Sequence, residues 1–155
     1  MLGGCFKARR PGATARALVS AGLRPLAPLA RAMGVAEIVV GVGALAVGGP
    51  ALAGAVAAFY TGFAGFVALT LVRSAPVDDC GCFGGTDSPP TAFHLVVNVA
   101  AAGIATAVAA GGDDRGLADV LADQPLAGVP FLLLAAVVTG LAYAVLTVLP
   151  KALEP

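Results

Sequence analysis

Two cysteines separated by a single glycine, Cys80-Gly81-Cys82, lie in the segment VDDCGCFGGTDSPPTAFH that runs from Val77 to His94. Thiols two positions apart close a small, strained ring when oxidised, and strain makes a disulfide easier to reduce. Gly81 has no Cβ and tolerates the distortion of the backbone that such a ring imposes. A labile pair is what thiol–disulfide exchange requires and what a purely structural staple avoids. The third cysteine of the chain, Cys5, sits apart in a basic stretch and reads as a bystander.

Three readings of the pair are open. In the plainest, two free cysteines happen to be close. In the second, Cys80 and Cys82 are thiolate ligands with His94 as a third, a soft set suited to Cu(I) or Zn(II). The chain offers no second cysteine pair and no HxxxH, so ligand spacing gives that reading little support. In the third and leading reading, the pair is a redox centre. Asp78 and Asp79 oppose thiolate formation beside them, which argues against a strongly activated nucleophile. The pair also precedes the next expected helix start by about six residues, too far for a helix N-terminus to activate it.

Three more polar residues fall in apolar surroundings. His94 and Asn98 are four apart and share one face of a helix. Helix rise puts His94 about five residues past the expected cap, roughly 8 Å into a bilayer. The pair is either polar glue between helices or a contact for a bound quinone and a proton acceptor. Glu37 stands near the start of another apolar run, where a carboxylate in lipid must face a partner or reach the interface. It reads first as an interhelical partner and second as a site residue.

The elements that must position these residues belong in a membrane. Hydrophobic residues make up 59% of the chain and charged residues 12%, where a soluble domain carries roughly 25% charged residues. Glu37 is the only charged residue between positions 32 and 72, and none occurs from 125 to 150. Zero net charge gives no basic surface for nucleic acid. A spanning helix needs about 20 apolar residues. Four runs meet that size: 33–49, 51–72, 91–110 and 126–149. They are rich in Ala, Gly and Val without strict alternation, which weighs against a transmembrane barrel. The expected fold is an all-α, polytopic helical bundle with four spans.

The basic residues Lys7, Arg9, Arg10, Arg16, Arg24 and Arg31 mark 1–31 as an interfacial segment. It is not a secretory signal, because Arg24, Pro25 and Pro28 break its apolar stretch. An amphipathic helix around 13–23 is expected there. Gly48-Gly49-Pro50 predicts a tight turn that makes the first two spans an antiparallel hairpin. Ser88 and Pro89 predict the N-cap and first residue of the third span. Residues 111–124 hold four aspartates against Arg115 alone and read as a solvated acidic loop. The transmembrane domain thus covers 32–150, with the cysteine loop at 74–90 and a short tail at 151–155.

The string Cys80-Gly81-Cys82-Phe83-Gly84, with Asn98 in the next span, resembles the MauE branch of the DoxX-like membrane proteins. Gly34-Val35-Ala36-Glu37-Ile38-Val39-Val40-Gly41 looks like the Gly-x-x-Glu-x-x-x-Gly segment of an early helix in that superfamily. Gly4-Cys5-Phe6-Lys7, continued by Arg9-Arg10-Pro11, resembles the Gly-x-x-Lys-x-x-x-Pro that closes the family's first helix. The likeness runs over about 4–110. It implies support of disulfide formation or maturation in exported proteins, with a thioredoxin-like partner, the namesake being needed for methylamine dehydrogenase. Two departures stand out: the usual Arg-Asn pair is Val97-Asn98 here, and the family's first helix is missing before Gly4.

The expected function is therefore a multi-pass protein of the plasma membrane in which Cys80 and Cys82 cycle between dithiol and disulfide, with a quinone as a possible electron acceptor. The alternative is a non-catalytic membrane assembly or metal-binding subunit. Sidedness divides the arguments. The basic segment belongs in the cytoplasm by the positive-inside rule, and two spans later the cysteines return to that side. A helix before Gly4 would reverse this, and an oxidising compartment gives the pair a use. The cysteine loop is expected on the outer face.

Overall fold

A computed structural model describes residues 2–9, 11–20, 22, 27–73, 89–112 and 114–147. Among the described residues there are seven helices and no strand. They are α1 (Leu2–Arg9), α2 (Pro11–Ser20), α3 (Ala27–Ala46), α4 (Pro50–Val72), α5 (Ala92–Gly111), α6 (Leu117–Asp123) and α7 (Pro125–Thr147). Four stretches are long and apolar enough to cross a membrane: Ala27–Ala46, Pro50–Val72, Ala92–Gly111 and Gly128–Val145. The chain is an all-α, multi-pass membrane protein.

Three element boundaries differ from expectation. The first span begins at Ala27 rather than at 33. Pro28 falls in its first turn, where a missing N–H breaks no helical hydrogen bond, and Arg31 is exposed. Helix α5 takes Thr91 as its N-cap and begins at Ala92, so Pro89 precedes the helix instead of opening it. The expected cap, Ser88, lies outside the described residues. The acidic 111–124 stretch is not all loop, because it contains α6, which the Gly116 N–H opens by donating to Asp119 Oδ2 at 2.9 Å.

The turn between α3 and α4 forms as the glycines require. Gly48 and Gly49 take φ of 75° and 95°, values that side-chain-bearing residues rarely adopt, and Pro50 starts α4. A Cβ on Gly116 would sit 2.4 Å from the Ala46 carbonyl oxygen. The α5–α6 connection therefore lies against this turn, at one end of the bundle. Arg73 and Thr91, the ends of α4 and α5 that flank the cysteine loop, lie at the other.

The most extensive packing joins α4 to α5, and the next joins α1 to α3. The α4 side of the core is built from small residues, with Val67 fully buried and Ala57 and Ala64 nearly so. Small side chains let helix backbones approach where lipid offers no hydrophobic drive to associate. Thr61, Thr70, Thr106 and Thr139 each donate their hydroxyl to a carbonyl of their own helix at 2.7–2.8 Å. Their polar atoms are thereby satisfied without a neighbour. Helix α7 packs on α6, and every described side chain from Val129 to Tyr143 is exposed.

Candidate functional site: a polar cavity between the spans

The site starts with a backbone contact. A Cβ on Gly4 would lie 2.7 Å from the Gly34 carbonyl oxygen, and one on Gly34 would lie 2.8 Å from the Ala8 nitrogen. Only glycine fits at either position, so α1 and α3 cross with their backbones touching. Gly4 meets Ile38 while Ala8 meets Gly34, which makes the two helices antiparallel. Three residues beyond each glycine stands a charge, Lys7 on α1 and Glu37 on α3. The crossing brings them together: Lys7 Nζ donates to Glu37 Oε1 at 2.5 Å. The two side chains are 3% and 10% exposed. Glu37 therefore lies midway along α3, ten residues from its start, deeper than the near-terminal position expected of it.

Phe63 of α4 completes the arrangement. Lys7 Nζ stands 4.2 Å above the centre of its ring, a cation–π contact worth about 2 kcal/mol where water is excluded. Phe63 is in turn edge-to-face with Tyr60 and tilted against Phe59. Buried charges of this kind carry a desolvation penalty of several kcal/mol each, and the pair offsets it only while both members are present.

A cavity of about 530 Å³ opens beside the ion pair. Its polar wall holds Lys7, Glu37, His94 and Asn98, its aromatic wall Phe59, Tyr60 and Phe63, and α7 faces them with Val138, Thr139, Ala142 and Tyr143. Small-molecule sites span roughly 300–1,000 Å³ and share this mixture of apolar lining with a few convergent polar groups.

His94 is 2% exposed in the first turn of α5. The Thr91 backbone N–H donates to its Nδ1 at 3.3 Å, and the Thr91 hydroxyl is 2.8 Å from the same nitrogen. A backbone N–H can only donate, so Nδ1 accepts and the neutral ring carries its proton on Nε2. Asn98 Nδ2 donates to the His94 carbonyl oxygen at 2.7 Å. One turn of helix thus locks both side chains in place, as their i, i+4 spacing predicts.

The structure gathers Glu37, His94 and Asn98 around one cavity although 57 residues separate the first two. Cys80 and Cys82, the expected redox pair, lie outside the described residues, as does the rest of 74–88 and the tail. Cys5 is exposed. Lys7 was not expected at the site, and Tyr60, Phe63 and Tyr143 carry no chemical motif of their own. For Lys7 one signal existed: it follows a glycine by three residues, as Glu37 does, and the two strings are halves of a single contact.

The family model described as methylamine utilisation protein MauE matches residues 1–111, from α1 to the last residue of α5. No curated protein and no solved structure gives a significant match.

Proposed function

Because the chain belongs to the methylamine utilisation protein MauE family, we propose that it is a membrane thiol–disulfide carrier acting through Cys80 and Cys82. The observation that carries this reading is the Cys80-Gly81-Cys82 string in the connection between two spanning helices. In the proposed exchange, a thiolate of a thioredoxin-like partner attacks the Cys80–Cys82 disulfide. One intermolecular S–S bond forms and one cysteine leaves as a thiol. The partner's second thiol then displaces the other cysteine. The partner ends oxidised, and the pair ends as a dithiol that has taken up two electrons and two protons.

Trapping tests it. Cys80→Ser or Cys82→Ser leaves one attacking or attacked sulfur without its resolving neighbour, so one of the two variants accumulates a mixed disulfide that disappears on reduction. Full activity of both variants in cells, with no adduct, sinks the reading. The second reading is a membrane assembly or metal-binding subunit, in which Cys80 and Cys82 are two soft ligands one residue apart. Stoichiometric zinc or copper in the purified protein, lost in Cys82→Ser, would decide for it.

The proposed sidedness is outward, at the plasma membrane. In a Cys5→Ser background, a membrane-impermeant maleimide applied to intact, pre-reduced cells labels Cys80 and Cys82. Labelling only after permeabilisation would place them in the cytoplasm.

A further inference from the structure

We infer that the cavity between α1, α3, α4, α5 and α7 binds an uncharged, lipid-soluble ring bearing carbonyl oxygens, a molecule of the quinone class. Charge decides first. Lys7 and Glu37 neutralise each other at the wall, and among the described residues no other Asp, Glu, Lys or Arg lines the cavity. An anion would have to displace Glu37 from Lys7, and a cation the reverse, each leaving a buried charge unpaired. A neutral ligand enters without breaking the pair.

Shape and donors narrow the class. Phe59, Tyr60, Phe63 and Tyr143 offer ring faces and edges to a flat ring. The polar wall is rich in donors: the Lys7 ammonium has three protons, of which the Glu37 bond uses one, and Asn98 gives one amide proton to the His94 carbonyl and keeps another. Donors converging on an apolar, aromatic space fit carbonyl acceptors on a ring. The sparsely packed α7 forms the opposite wall, so a lipid tail has a way out between helices.

Binding is argued from the cavity alone; the ligand's role as oxidant rests on the thiol–disulfide reading. In that role the Cys80–Cys82 dithiol loses two electrons and two protons to become the disulfide. The quinone takes up both to become the quinol.

The chain supplies its own probe. It has two tyrosines and no tryptophan, and both tyrosines line the cavity. Decylubiquinone titrated into the full chain in nanodiscs quenches tyrosine emission saturably. Ala142→Phe, which fills the cavity from α7, weakens the apparent affinity at least ten-fold, whereas Val137→Phe on the same helix outside the cavity leaves it unchanged. Linear, unsaturable quenching that is equal in all variants overturns the site. So does relief of the decylubiquinone quenching by palmitate at concentrations below the quinone's own apparent Kd, which would make it an anion site. The Cys80→Ser/Cys82→Ser double variant binds as the parent does. Loss of saturable binding with mixed-disulfide trapping intact would refute this site and leave the exchange reading standing, and trapping failure with binding intact would do the opposite.

Discussion

Helices α1–α5 and the stretch 114–147 with α6 and α7 are both mostly apolar, yet they are built to different rules. The first region carries an ion pair, a histidine and an asparagine inside its packing. The second puts its described charges on the α6 side, at Asp114, Arg115, Asp119 and Asp123, and leaves α7 with none. Buried in α1–α5 are positions where one atom more does not fit, such as Gly4 and Gly34. On α7 the crowded glycine is Gly128, against Leu121 of α6, whereas Gly140 is as open as Gly54, Gly62, Gly65 and Gly103 of α4 and α5. The MauE match ends at 111, where this change occurs. Polar groups in lipid are retained only where they are held, so the contrast puts the described buried ion pair, histidine and asparagine in the α1–α5 part and makes α7 a wall of the cavity.

The strongest way to break that comparison is to remove one charge from it. Lys7→Met leaves Glu37 buried without its cation, and Glu37→Leu does the reverse. Each is expected to destabilise the protein by about 3–5 kcal/mol, because the surviving partner keeps its desolvation penalty. The double variant Lys7→Met/Glu37→Leu removes both and is expected to recover much of the loss. Thermal unfolding of the four proteins in one detergent closes the cycle. Additive single effects would mean that the two side chains do not support each other.

A second test sharpens the geometric claim. Gly34→Ala puts a methyl 2.8 Å from the Ala8 nitrogen and from the Gly4 carbonyl oxygen. Both obstacles are backbone, so the helices must separate, at about 1–3 kcal/mol. The same change at Gly140 of α7 should have no such effect. If Gly34→Ala unfolds at the parent's temperature, the crossing does not set the Lys7–Glu37 contact.

The spans and the hairpin were legible because hydropathy and Gly48-Gly49-Pro50 act locally. The start of α3 was not, since Pro28 and Arg31 interrupt an apolar run without interrupting a helix whose first turn needs no N–H from proline. Thr91 was hidden as a cap because the group that satisfies its backbone N–H is the ring of His94 and not a more usual carboxamide or carboxylate. The shared face of His94 and Asn98 followed from spacing alone. The partner of Glu37 did not, because Lys7 lies 30 residues away and only the glycine crossing brings it near. The aromatic wall has the same origin: Phe59, Tyr60 and Phe63 look like ordinary span residues until α1 is laid against α3.

The smallest expected effect belongs to α7. Leu133 is 64% exposed and Val137 58% exposed, and α7 packs on α6 without extensive contact to α3, α4 or α5. In a bilayer these side chains face lipid tails, and alanine there exchanges one apolar lipid contact for another. Leu133→Ala and Val137→Ala should each change stability by no more than about 0.5 kcal/mol, the usual range for exposed positions. Val67→Ala, at a fully buried position of α4, makes the control, since it opens a void that the α4–α5 seam must close or tolerate. Unfolding midpoints in nanodiscs compare the three. Should the α7 variants lose as much as Val67→Ala, then α7 is clamped onto α3–α5 rather than lying against lipid. The two regions would then be one packed body, and the contrast drawn between them would fall.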